Sequence, residues 1–98
     1  MTLNEYQRLA MTTLSPELSQ KDILINGVMG LCGEAGETID LVKKYLHQGH
    51  DLDKEAIKKE LGDIAWYLAE AATALDMPLE DGLRTVLERA EAALKNNE

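Results

Sequence analysis

Two short stretches of this sequence share one pattern of acid, apolar residue, glycine, acid: Glu34-Ala35-Gly36-Glu37 and Glu60-Leu61-Gly62-Asp63. In a helix the two acids of each stretch fall about 100 and 160° to one side of the apolar residue between them. Leu41 and Tyr67 continue these acidic sides. Like charges at this spacing destabilise an exposed helix by roughly 0.2–0.5 kcal/mol. Bringing two such stripes together costs more as water is excluded, and a cation between them removes the difficulty. The stripes hold four carboxylates and no cysteine or paired histidine, which favours a hard ion, Mg²⁺ or Mn²⁺. Gly30, Gly33 and Gly36 lower helix propensity but let backbone, water or substrate approach closely. A lone Glu-x-x-Glu is ordinary solvated surface. The repeat, at the same phase on two segments, points to a metal site with Glu34, Glu37, Glu60 and Asp63 as ligands, provided the two segments meet in register.

The segments that must position these acids read as helices. Thr2 and Glu5 have the spacing of a capping box, and Leu3, Tyr6, Leu9 and Ala10 follow at helical intervals, predicting a helix over about 3–13. Ser15-Pro-Glu-Leu18 reads as a turn or a short helical start. A long helix over about 20–48 carries the seam Leu24, Val28, Leu31, Ala35, Ile39, Val42 and Leu46, with Gly49 as its stop. Asp53 caps a helix over about 54–75, with Ile57, Leu61, Ile64, Leu68 and Leu75 as its seam. Asp76-Met77-Pro78 breaks it, and a last helix over about 79–94 uses Leu79, Leu83, Val86, Leu87, Ala90 and Leu94. The terminal Lys-Asn-Asn-Glu is expected to fray. No run alternates with the period of a strand. The expected fold is all-α: one four-helix bundle-like domain over residues 1–98, built on a long antiparallel helical hairpin.

Composition narrows the function. The chain has 98 residues and a formal net charge of −8, from 18 acids against 10 bases. Such a surface repels polymeric nucleic acid, whereas a bound divalent ion reverses the local charge for a free nucleotide. Cys32 is the single cysteine, so no disulfide framework is possible, and it reads as a small core side chain. No leader pattern opens the sequence and no apolar run is long enough for a membrane span, so a cytoplasmic protein is expected. His47 and His50 read as the finish of the long helix, where imidazolium suits the terminal carbonyls.

Beyond these readings, GLCGEAGETIDLVKKYLHQGH and KEAIKKELGDIAWYLAEAATAL resemble the MazG-like family of all-helical nucleoside triphosphate pyrophosphohydrolases, from about Leu3 to Leu87. The resemblance implies Mg²⁺-dependent hydrolysis of an NTP or dNTP between the α and β phosphates, giving a nucleoside monophosphate and pyrophosphate. It assigns Glu34, Glu37, Glu60 and Asp63 to the metal, and it implies a homodimer or homotetramer. One motif acid, Glu37 by its central place in the stripe, is the candidate base. Lys43 and Lys44 occupy the family's paired-lysine position; Lys44, seven residues beyond Glu37, is a candidate for phosphate. Gln7, Asn26 and Trp66 are candidates for base or sugar. The bland counterparts are a solvated lysine near a helix end, a polar surface glutamine and a tryptophan packed on another helix or subunit. The last helix departs from the family pattern: Val86 stands where an asparagine is usual, Arg89 takes the basic place, and no Arg-Tyr-Pro tail follows. A non-enzymatic helical nucleotide-binding or assembly module is therefore the alternative.

Overall fold

In the computed structural model, which describes residues 1–97, regular structure is entirely helical. Helix α1 spans Leu3–Ala10 and tightens into a 3₁₀ turn at Met11–Thr13. Helices α2, Gln20–His47, and α3, Lys54–Ala74, form the long hairpin, and α4 spans Leu79–Asn96. The final residue of the expected fraying tail lies outside the described residues; α4 continues through Lys95 and Asn96. No helix among the described residues is long and apolar enough to cross a membrane.

The starts follow from capping chemistry. Thr2 Oγ1 accepts from Glu5 N at 3.1 Å, Ser19 Oγ from Asp22 N at 3.1 Å, and Asp53 Oδ1 from Ala56 N at 3.0 Å. The stops follow from left-handed residues. Gly49 (φ +72) turns the chain just beyond α2. Asp76 (φ 52) does the same after α3, where Met77 N donates to Ala72 O and Asp76 N to Thr73 O, both at 3.0 Å. Residues 14–19 form an irregular turn rather than another helix.

The closest contacts of the hairpin are made by small residues beside the apolar seams. Helix α2 meets α3 through Gly27 against Ala71 and Gly30 against the ring of Tyr67. A methyl built on Gly30 would sit 2.2 Å from Tyr67 Cε1, so only glycine admits that ring. Among the described residues the buried apolar ones are Ala69, Ala72 and Ala74, all on α3. The expected seams are only partly covered: Leu24, Leu31 and Val42 of α2 and Ile57 and Ile64 of α3 are half-buried, whereas Val28, Ile39 and Leu46 of α2, and Leu61, Leu68 and Leu75 of α3, are exposed. Cys32 is exposed too, which corrects its reading as a core residue. Small residues let the two backbones come close, and that proximity selects the glycine–alanine face for the intrachain contact.

Helix α4 meets α1 and α3 near its start, and every residue from Asp81 to Asn97 is exposed. The radius of gyration is 16.4 Å, against about 13 Å for a compact chain of this length. One chain thus forms a hairpin with two helices laid against one end.

Candidate metal centre

Helices α2 and α3 run in opposite directions, so their facing positions pair in reverse order. Gln20 Nε2 donates to Ala74 O at 2.6 Å, Asn26 meets Glu70, Gly30 meets Tyr67, and Glu34 meets Glu60. This register brings the two acid stripes together. Carboxylate oxygens of Glu34, Glu37 and Glu60 lie within 4.8 Å of one another. Glu37 and Glu60 border a cavity of about 450 Å³ whose walls also include Gly33, Gly36, Asp40, Leu41 and Ala56. A Cβ added at Gly33 or Gly36 would meet nothing within 4 Å. These two glycines therefore leave room, whereas Gly30 accommodates Tyr67.

The cluster is electrostatically incomplete. Glu34 Oε2 and Glu60 Oε2 are buried and have no hydrogen-bond partner among the described residues. The Glu34 carboxyl is raised from 4.5 to about 7, first by the facing Glu60 carboxyl, to which only its protonated form could donate, then by burial and by the charges of Glu37, Glu60 and Asp63. Facing carboxylates that cannot both be ionised cheaply hold a proton between them. Two orphaned buried oxygens, an all-oxygen donor set and an adjoining cavity fit a hard divalent cation, which would take the proton's place.

Asp63 stands at the edge of this group. Lys59 Nζ is 3.1 Å from Asp63 Oδ2 and 3.8 Å from Glu60 Oε1. Asp63, and then the nearby acids, hold the Lys59 ammonium above its ordinary pKa. The phenol of Tyr6, half-buried on α1, is raised first by burial and then by the charge of Asp63. Lys44 Nζ lies 3.0 Å from Asp40 Oδ2 and borders an adjoining cavity of about 400 Å³ with His50 and Asp51. Lys43 is exposed.

The three residues expected to meet base or sugar make internal contacts. Gln7 Nε2 donates to Thr73 Oγ1 and Met77 O, both at 3.0 Å, and its Oε1 accepts from Leu79 N at 2.7 Å. One amide thereby joins α1, α3 and α4, roughly 15 Å along α3 from Asp63. Trp66 packs against another helix segment: its Nε1–H donates to Ala10 O at 3.1 Å and Thr13 Oγ1 at 3.2 Å, and its ring meets Tyr67 edge-on at 5.3 Å. Asn26 donates through Nδ2 to both oxygens of Glu70, at 2.9 and 3.0 Å.

Sequence reasoning missed Asp40, Tyr6 and Glu70. Asp40 was detectable, being one more step of three along the Glu34–Glu37 stripe. Glu70 was detectable as the position two turns beyond Asp63 on the same face. No sequence signal marked Tyr6, whose role depends on where α1 docks.

Residues 26–95 match the family described as the MazG nucleotide pyrophosphohydrolase domain. The chain is 42% identical over 53 residues to the Gene 37 protein of Mycobacterium phage L5, a stretch amounting to 50% of this chain and 46% of that protein. The match thus spans about half the length of that curated relative. No solved structure matches.

Proposed function

The chain belongs to the MazG nucleotide pyrophosphohydrolase family, and from that premise we propose that it hydrolyses a nucleoside triphosphate, ribo or deoxy, between the α and β phosphates in a Mg²⁺-dependent reaction. The supporting observation is the convergence of Glu34, Glu37 and Glu60, with two buried oxygens lacking partners, beside an open cavity. The proposed ligands are these three and Asp63, with Mn²⁺ as an alternative ion. A bound metal would supply charge neutralisation at the phosphate oxygens.

The protein's own groups have distinct tasks in this reading. Glu34 and Glu60 are held by the hairpin and give the site its fixed charge. Glu37 is exposed on the cavity wall, where it can accept the proton of a water attacking the α-phosphorus. As the new oxygen–phosphorus bond forms, the bond to the bridging oxygen breaks and pyrophosphate departs. Lys44, one turn beyond Asp40, offers its ammonium to a phosphate in place of that carboxylate.

Association with a second copy belongs to the same proposal. Leu83, Val86, Leu87 and Leu94 of α4 are exposed, as are Val28, Ile39, Leu61 and Leu68 of the hairpin. Apolar surface of this extent in so small a chain is suited to burial against an identical partner. A homodimer or homotetramer should sediment at micromolar concentration, and a purely monomeric species would refute the association.

The deciding assay incubates the protein with a panel of NTPs and dNTPs, with and without Mg²⁺, and separates the products. Monophosphate and pyrophosphate in the Mg²⁺ arm are expected. Orthophosphate alone would replace this reaction with another phosphohydrolase. Nucleotide binding without turnover would favour a binding module, a reading helped by exposed Val86 at the family's asparagine position.

A further inference from the structure

Glu70 is fully buried, yet it lies outside the acid cavity and has no part in the reaction described above. Its two oxygens face the one amide nitrogen of Asn26. We propose that Asn26 and Glu70 are a positioning pair: their hydrogen bonds set the axial register of α2 on α3, and that register sets the spacing of the metal-binding carboxylates. This rests on the reading of the acid cluster as a metal site.

The interface itself shows why such a device is needed. Around the Asn26–Glu70 layer, α2 presents Gly27 and Gly30, and the buried apolar residues of α3 are Ala69, Ala72 and Ala74. Small side chains interlock shallowly and oppose sliding weakly, apart from the Tyr67 ring over Gly30. A slip of one helical turn is about 5.4 Å. That exceeds the 4.8 Å within which the ligand oxygens of Glu34, Glu37 and Glu60 are gathered. One turn of error would therefore dismantle the cluster. The same slip would leave the Glu70 carboxylate buried without its donor, which burial penalises heavily. A polar pair inside a helical interface can thus reject alternative registers that apolar packing tolerates.

The test separates register and metal affinity from stability. Register is read from the ring-current shift of the Gly30 α-protons and their NOE to Tyr67; affinity is read by titrating Mn²⁺ and following its EPR signal, well below each variant's Tm. Replacing both partners with leucine (Asn26→Leu with Glu70→Leu) should preserve Tm, since removing both members leaves no buried carboxylate without its donor. It should broaden or split the Gly30 signal and weaken Mn²⁺ binding by at least about tenfold, as loss of groups that orient ligands does. A second set keeps shape and changes only donor and acceptor. Asn26→Asp removes the donor and should weaken binding similarly; adding Glu70→Gln restores a donor and should return affinity to within about threefold of the parent. A sharp parental Gly30 signal with parental Mn²⁺ affinity in the double-leucine protein or in Asn26→Asp would overturn the proposal. So would failure of the reversed pair to recover either readout. If the unaltered protein binds no Mn²⁺, the metal reading fails, while the Gly30 signal still decides whether the pair sets register.

Discussion

The helical hairpin, with α1 docked on it, has two polar regions that differ in how completely they are satisfied. Toward the end where α1 docks, the Gln7, Gln20, Asn26 and Trp66 donors are matched to acceptors on neighbouring elements. Toward the α2–α3 turn, carboxylates face carboxylates and two buried oxygens have no partner. A satisfied network contributes to holding one arrangement, whereas an unsatisfied one is tolerated where a ligand can complete it. The contrast separates groups that fix the fold from groups suited to holding a cation. The glycines divide the same way: Gly27 and Gly30 are packed, Gly33 and Gly36 face open space.

The largest effect is expected at the unsatisfied end. Glu37→Gln should lower the rate of pyrophosphate release by about 10²–10⁴-fold, the range for loss of a general base, while leaving Tm nearly unchanged. An equal loss of folding stability would erase the distinction between the two regions. The glycines sharpen the comparison at intermediate scale. Gly30→Ala forces a methyl into the Tyr67 ring and should destabilise by about 1–3 kcal/mol in chemical denaturation. Gly33→Ala should instead stabilise by roughly 0.5–1 kcal/mol through helix propensity, while its methyl narrows the cavity and reduces turnover.

Gln7→Ala tests the satisfied end. It removes the amide joining three helices and should cost about 1–2 kcal/mol, read as a drop of several degrees in Tm, with Mn²⁺ affinity unchanged. Weakened metal binding would mean that the docked end supports the acid cluster directly.

The smallest effect concerns acidity. The fold raises Glu34 from 4.5 to about 7, so the native state holds a proton that the unfolded chain releases. Its contribution to stability is full below 4.5 and is lost as pH rises through about 7. Metal-free Tm should therefore decline over that window, and Mg²⁺ should offset the decline most at its upper end. A metal-free Tm rising steadily across the window would contradict the shared-proton arrangement.

Helix boundaries were legible because their signals are local. Thr2 and Asp53 cap as their spacing indicates, and Gly49 and Asp76-Met77-Pro78 end the long helices where the sequence breaks. The acid cluster was legible because its repeat carries both phase and residue type. Which face would form the hairpin was not legible from hydrophobicity. Leucine and valine mark the strongest apolar stripe, but Gly27, Gly30 and Ala71 allow the closest backbone approach, and that geometry governs the intrachain contact. The packing of Trp66 on another helix was legible as the counterpart to a base contact, whereas the internal use of Gln7 was not, because two of its three partners, Met77 O and Leu79 N, are backbone atoms with no residue-type signature.

The buried apolar side chains among the described residues are three alanines, so if the proposed association holds, dilution should act on this protein as a mild denaturant does. Folding and association would then be one equilibrium, and the melting temperature of a sample would report its concentration as well as its sequence.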